Sequence, residues 1–70
     1  MSDVVECRSE TEYGERPVAI FQQGERLEIE RILSRWRTPD GKWFRVITQD
    51  GEVYELNYSE AFDVWSIHIE

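Results

Sequence analysis

The stretch FRVITQDGEVYEL, residues 44–56, consists of two strand-like segments of alternating character around an Asp-Gly turn. Two loop lengths are open to it, and they place different residues opposite each other. A two-residue loop pairs Val46 with Glu55, whereas a three-residue loop, residues 49–51 with a bulge at the glycine, pairs Val46 with Tyr54. Because strand register follows the buried face, we favour the three-residue loop.

The three-residue loop divides the side chains of this hairpin between two faces, since successive residues of a strand point to opposite sides. The face that we expect to be buried gathers Phe44, Val46, Tyr54, Leu56 and Tyr58. The other face carries Trp43, Arg45, Ile47, Val53 and Glu55. The hairpin therefore predicts a sheet with a core on one side.

Turn signals on either side of the hairpin predict further strands. The segment PVAIFQ, residues 17–22, begins at a proline and ends at a Gln-Gly turn. The sequence Thr-Pro-Asp-Gly at residues 38–41 is a second tight turn, in which proline presets φ and glycine accepts a positive φ. The segment AFDVWSIHI, residues 61–69, alternates again, and its Trp65, Ile67 and Ile69 are expected to face the core.

Residues 25–37, ERLEIERILSRWR, allow two interpretations. Ile29, Ile32 and Trp36 lie on a helical stripe, but no good capping residue precedes the segment. A strand with a bulge near residues 30–31 would place Leu27 and Ile29 on one face and return Ile32 and Trp36 to it. We favour the long, bent strand, and the helix remains the alternative.

These elements together predict a mostly β fold, a five-stranded antiparallel meander or a partly closed small barrel of SH3-like size. The predicted domain covers residues 17–70. Residues 1–16 are polar and carry five acids against two arginines, so they are expected to form a flexible, disordered acidic tail.

Composition restricts the cellular location and the cofactors that can be expected for this chain. Seventy residues make a single domain, and the lone Cys7 excludes an internal disulfide and favours a reducing, cytoplasmic location. One cysteine and one histidine give no metal-ligand spacing, and no phosphate-binding glycine motif is present. No segment has the ~20 apolar residues that span a membrane, and no signal-peptide pattern precedes the domain. We expect neither a cofactor nor a membrane partner.

No catalytic constellation is recognisable. His68 is the single histidine, and none of the serines has an evident histidine partner in the sequence. The many carboxylates are typical of cross-strand pairs with arginine on a solvated face, rather than of a hydrolytic pair. The sequence therefore predicts a protein that is not an enzyme.

One segment has the character of a binding surface, and we call it the aromatic-basic strip. Within residues 35–45, RWRTPDGKWFR, two tryptophans alternate with cations on either side of the turn. The strip consists of Arg35, Trp36, Arg37, Lys42, Trp43 and Arg45. These residue types anchor protein interfaces, and they also form stacking platforms for single-stranded nucleic acid. A third interpretation places Trp36 in the core, packs Trp43 under the N-terminal strand, and pairs the arginines with glutamates of neighbouring strands.

From Trp36 onward the chain also resembles a small bacterial domain family of unknown function. The resemblance is carried by Trp36, the phrase FRVITQDGEVYEL at residues 44–56, and Trp65. Similar domains occur alone and as C-terminal tails of proteins related to Y-family lesion-bypass polymerases. The resemblance implies a small β module, an accessory or interaction domain near DNA repair, and it transfers no catalytic residue.

The function we expect is that of a small protein-interaction or accessory module, which binds a protein partner or a second copy of itself. The alternative is binding of single-stranded nucleic acid through Trp36 and Trp43, linked to repair. The net charge of −7 opposes this alternative, because most nucleic-acid affinity comes from neutralised phosphates.

Overall fold

A computed structural model describes residues 4–10 and 14–69 of the chain as one antiparallel sheet of six strands. The strands are β1 Val5–Glu10, β2 Gly14–Gln22, β3 Glu25–Thr38, β4 Gly41–Thr48, β5 Val53–Ser59 and β6 Val64–Ile69. Each pairs with its neighbours in the chain, and the sheet curls into a half-barrel. The predicted antiparallel meander is confirmed, with six strands instead of five. These residues include no helix long and apolar enough to cross a membrane.

The additional strand, β1, lies where a flexible tail was predicted, and for the described part of residues 1–16 that prediction was wrong. Val5 is buried in the core, and the Val4 carbonyl accepts a hydrogen bond of 2.8 Å from the Phe21 amide. The β unit therefore begins at Val5 and not at residue 17. The alternation Val-Glu-Cys-Arg at residues 5–8 is a strand signal that the polar composition concealed. Residues 1–3 and 11–13 of the predicted tail lie outside the described residues.

Strand β3 changes partner along its length. Residues 25–28 pair with β2 and residues 29–38 pair with β4, so the strand interpretation of this segment is confirmed. A register shift between Ile29 and Arg31 lies where a bulge was predicted, and Ile32 packs against the core together with Leu27 and Ile29. Because a bulge bends its strand, the shift lets one strand serve both halves of the sheet.

A second register shift in β3, between Ile32 and Ser34, was not predicted. It moves the residues that follow to the opposite face of the sheet. Ile32 lies opposite Val46, but Trp36 lies opposite Trp43 on the other side of the sheet. The expectation that Trp36 returns to the face of Ile32 was therefore wrong. The extra residue at the second bulge moves Trp36 to the face away from the core, which we call the outer face.

The core lies between β1, β2 and the β4–β5 hairpin. It contains four of the five hairpin residues that the register argument selected, and the fifth, Tyr58, is half-buried. The buried apolar cluster consists of Val5, Ile20, Phe44, Val46, Tyr54 and Leu56. Trp65 and Ile67 of β6 pack against it as expected. Ile69 shares their face but remains 66% exposed, because it lies at the end of the strand.

The turn between β4 and β5 has the predicted length, and it fixes the predicted register. Val46 pairs with Tyr54, and Phe44 pairs with Leu56. The Gly51 amide donates to the Thr48 carbonyl at 2.9 Å, with Gly51 at a φ of 89°. Thr48 is fully buried, and its hydroxyl donates to the carboxylate of Asp50, so the turn is closed by side-chain and backbone hydrogen bonds together.

Two turn glycines with positive φ give a matched test of backbone packing. A Cβ on Gly41 would lie 2.0 Å from the Tyr58 carbonyl oxygen, whereas a Cβ on Gly24 meets nothing within 4 Å. Gly24→Ala therefore costs only the left-handed conformation, about 1 kcal/mol. Gly41→Ala adds a clash with backbone and is expected to cost about 3 kcal/mol or more. Urea unfolding of both variants measures the difference, and equal costs would contradict the observed approach of β4 to β5.

An ion pair that joins β1 to β3 predicts how stability depends on pH. The hydrogen bond from Arg26 to Glu6, 2.9 Å long, holds the pKa of Glu6 below its ordinary value of 4.5. A carboxyl group whose folded pKa is depressed stabilises the fold above its unfolded pKa, and this contribution is lost as pH falls through the folded pKa. Glu6→Gln should therefore unfold with a shallower loss of stability below pH 4.5 than the unaltered protein. Thermal unfolding of both proteins over the acid pH range measures this difference. Melting temperatures that fall equally with pH in the two proteins would contradict the ion pair.

Candidate interaction surfaces

The outer face of the sheet carries a stack of three aromatic rings. Trp36 and Trp43 lie opposite each other, with ring centroids 5.9 Å apart and planes inclined by 9°. Trp43 also stacks on His68 of β6, at 5.7 Å and 28°. Its indole Nε1 donates to Thr38 Oγ1 at 2.9 Å. Trp43 is consequently half-buried, whereas Trp36 is 37% exposed and forms the solvent end of the stack.

One cation of the aromatic-basic strip joins this stack. The guanidinium carbon of Arg45 lies 5.8 Å from the centroid of the Trp36 ring, within the range of a cation–π contact. Arg45 Nη2 also donates to Glu55 Oε2 at 2.6 Å, from the directly opposite position on β5. The carboxylate therefore compensates the positive charge that Arg45 brings to the outer face.

The other three cations of the aromatic-basic strip lie on the opposite face of the sheet. Arg35 is opposite Phe44, a core residue, and Arg37 is opposite Lys42. Arg37 Nη1 also donates to Glu60 Oε1 at 2.9 Å. The structure thus brings together Trp36, Trp43 and Arg45 and separates them from the remaining predicted site residues. Alternation along β3 and β4 places neighbouring residues of the strip on different faces.

A second surface, which the predicted site residues did not include, lies along the free side of β6. In the part of the chain that the structure describes, β6 pairs with β5 on one side and forms an edge of the sheet. Its sequence VWSIHI contains no Asp, Glu, Lys, Arg, Pro or Gly. Charged residues, prolines and bulges are the usual protection of edge strands against pairing with other chains. The β6 edge has none of these features.

The opposite edge of the sheet, β1, has the protective features that β6 lacks. It carries Glu6 and Arg8 along its length, and its ladder with β2 has a register shift between Glu6 and Cys7. Glu6 is engaged in the ion pair with Arg26. Charge and irregular register therefore protect β1 against pairing with another strand, so the two edges of this sheet differ in their availability.

Exposed apolar side chains cluster at the two ends of β6. Phe62, in the turn before the strand, is 80% exposed, and Val64 and Ile69 are 50% and 66% exposed. Single exposed apolar residues are ordinary, but here they flank an unprotected edge, with Phe62 and Val64 at its start and Ile69 at its end.

The turn that presents Phe62 is well fixed by hydrogen bonds. The Asp63 amide donates to the Ser59 carbonyl at 2.8 Å, and the Tyr58 hydroxyl donates to the Asp63 carboxylate. Asp63 adopts a φ of 56°, in the left-handed region that aspartate occupies more readily than most residues other than glycine. These hydrogen bonds fix the turn, in which the Phe62 ring is exposed to solvent.

The sequence contained a signal for this second surface. In an antiparallel meander that does not close, the last strand is necessarily an edge, and the lack of charge in VWSIHI is visible without a structure. The alternation of residues 61–69 assigned Trp65 and Ile67 to the core, and it left Phe62 and Val64 on the other side. Tryptophan and arginine are a more conspicuous signal of a binding surface, and in this sequence they lie together at residues 35–45.

Comparisons with known proteins give no relative for this chain: no family model, no curated protein and no solved structure matches it. The resemblance to the small bacterial domain and to the tails of polymerase-related proteins stays a prediction. The ring stack and the β6 edge are therefore the features from which a function can be inferred.

The asymmetry of the ring stack is testable by truncating each tryptophan. Trp43→Ala removes contacts with Trp36 and His68 and the hydrogen bond to Thr38, and is expected to cost about 2 kcal/mol or more in unfolding free energy. Trp36→Ala, at the solvent end, is expected to cost about 1 kcal/mol. Guanidinium unfolding measures both values. A larger cost for Trp36→Ala than for Trp43→Ala would contradict this arrangement.

Proposed function

We propose that this chain is a non-enzymatic protein-interaction module that binds its partner by pairing a strand of the partner with the free edge of β6. The observation that carries the proposal is the β6 edge itself, a strand without charges or proline. Strand addition supplies affinity through main-chain hydrogen bonds and specificity through alternate side chains.

Phe62 supports this proposal because it supplies an anchor beside the edge. A large aromatic side chain held in solvent by a fixed turn loses little conformational entropy when a partner covers it. Aromatic residues of this kind dominate the binding energy of protein interfaces. Phe62 stands at the start of β6, so a partner strand along that edge would pass close to its ring.

The ring stack favours a second candidate, single-stranded nucleic-acid binding, because Trp36 offers an exposed indole to a base. The distribution of charge counts against it. Arg35, Arg37 and Lys42 lie on the other face, and Arg45 is compensated by Glu55.

Fluorescence titration with a single-stranded oligonucleotide separates the candidates. Salt-sensitive quenching that is lost in Trp36→Ala would support the nucleic-acid candidate.

The edge proposal is tested by two surface variants and one matched control. Val64→Lys places a charge on the free edge, and Phe62→Ala removes the anchor. Leu33→Ala truncates a comparably exposed apolar residue, 41% exposed, at the second bulge of β3. Proteins retained from a lysate by the unaltered chain and by Leu33→Ala, but not by the two edge variants, are identified by mass spectrometry and purified.

A purified partner is then mixed with the unaltered chain, and amide hydrogen exchange is followed. The proposal expects protection of backbone amides in residues 64–69, because the added strand pairs with them. Retention that is equal for all variants, or protection confined to other strands, would contradict the β6 edge as the binding surface.

A further inference from the structure

Charge is unevenly distributed around the β6 edge. From residue 46 to residue 70 the chain contains six acidic residues and no lysine or arginine, whereas residues 31–45 contain five basic residues. Strands β5 and β6 fall within the acidic part. Two of these six acids, Glu55 and Glu60, are paired with Arg45 and Arg37, so the negative charge that a strand pairing with β6 would meet comes from the others.

The register places acidic turns at both ends of β6. Tyr54 pairs with Ile69, so the turn that holds Asp50 and Glu52 lies beside the end of the strand. Asp63 lies in the turn that leads into its start. Asp63 directly precedes Val64, and Glu52 lies shortly before Tyr54, the residue that pairs with Ile69. These carboxylates are therefore near enough to the strand ends for their charge to act there despite screening by salt.

Several of these carboxylates are hydrogen-bonded by neutral groups, which leave their charge in place. Asp50 accepts from the Thr48 hydroxyl, and Asp63 accepts from the Tyr58 hydroxyl. Burial raises the pKa of Tyr54, and the charges of Asp50 and Glu52 raise it further. Negative potential thus reaches the strand that borders β6.

The side chains of β6 give the spacing that a partner strand must match. Trp65, Ile67 and Ile69 lie on the core face, and Val64, Ser66 and His68 lie on the outer face. Neighbouring strands align residues of the same face, so every second side chain of an added strand would meet an apolar row. The exposed Ile69 at the end of that row has room for such a neighbour.

We infer that the strand bound by β6 belongs to a basic partner: an extended segment with apolar residues at every second position and lysine or arginine at its ends. This inference rests on the proposed function and names the chemistry of the partner. The apolar row sets the alternation, and the acidic turns set the charge of the flanks. Complementary charge of this kind raises association rates and rejects acidic competitors.

A second copy of the chain fits this edge less well. Pairing of two β6 strands would bring together the acidic turns of both copies, which hold Asp50, Glu52 and Asp63. Like charges placed across an interface disfavour association by several kcal/mol. Self-association is therefore one of the outcomes that would overturn the inference.

The test uses the full chain and three synthetic peptides that share the core Val-Thr-Ile-Thr-Val. One carries two lysines at each end, one carries glutamines there and one carries glutamates. Affinity is measured by titration, and the binding surface by amide NMR shifts of residues 64–69. The lysine peptide is expected to bind about tenfold or more tightly than the glutamine peptide at low salt, with a smaller ratio at higher salt. The glutamate peptide is expected to bind weakest.

Two controls tie the binding to strand pairing and to the acidic turn. N-methylation of alternate residues of the lysine peptide keeps its charge but removes backbone donors, and is expected to abolish binding. Glu52→Lys, in the turn beside β6, should weaken binding of the lysine peptide several-fold. Glu25→Lys makes the same change at the exposed first residue of β3 and should leave the affinity unchanged.

The outcomes separate the inference from the proposed function. Equal affinity for the three peptides at β6 overturns the inference about charge and leaves edge binding intact. Failure of the lysine peptide, while partner capture remains dependent on Val64 and Phe62, overturns the inference alone. Failure of both experiments overturns the proposed function. A dimer in analytical ultracentrifugation that is lost in Val64→Lys identifies the second copy as the occupant and also overturns the inference.

Discussion

The hydrogen bonds around Thr48 hold the register on which the rest of the sheet depends. They fix a three-residue turn, and that turn aligns Val46 with Tyr54 and Phe44 with Leu56. A shift of one residue would move every side chain of β5 to the other face, and the core would lose half of its hairpin. The same turn reaches β3, because the Gln49 amide donates to the Glu28 carbonyl at 2.9 Å, where β3 changes partner.

The two bulges of β3 determine which residues meet on each face. The first keeps Ile29 and Ile32 against the core, and the second sends Trp36 outward to stack on Trp43. The aromatic-basic strip is continuous in the sequence but divided in space, since a strand distributes adjacent residues to both sides. Three of the four cations of the strip therefore face away from the exposed Trp36, and the fourth, Arg45, is paired with Glu55. The unprotected edge of β6 remains as the stronger candidate surface.

Much of the fold was accessible from local patterns, and the failures have specific causes. The Val46–Tyr54 register followed from matching loop length to a single apolar face, and the bend of β3 followed from the phase change between Leu27 and Ile32. Strand β1 was missed because polar residues outnumber Val5 and Cys7, and its stability comes from contacts distant in the chain, such as that between Glu6 and Arg26. The second bulge, and with it the position of Trp36, depends on how the end of β3 fits β4, which no local pattern records.

The meander also bears on how the chain folds. Every strand pairs with its neighbours in the sequence, so the contacts that build the sheet close short loops. Folds with short sequence separation between contacts form faster than β-folds with distant pairings, because less chain entropy is lost before the contacts form. During synthesis the charged strand β1 emerges first and β6 emerges last of the six. The strand least protected against foreign pairing thus emerges only after its own partner, β5, has been synthesised.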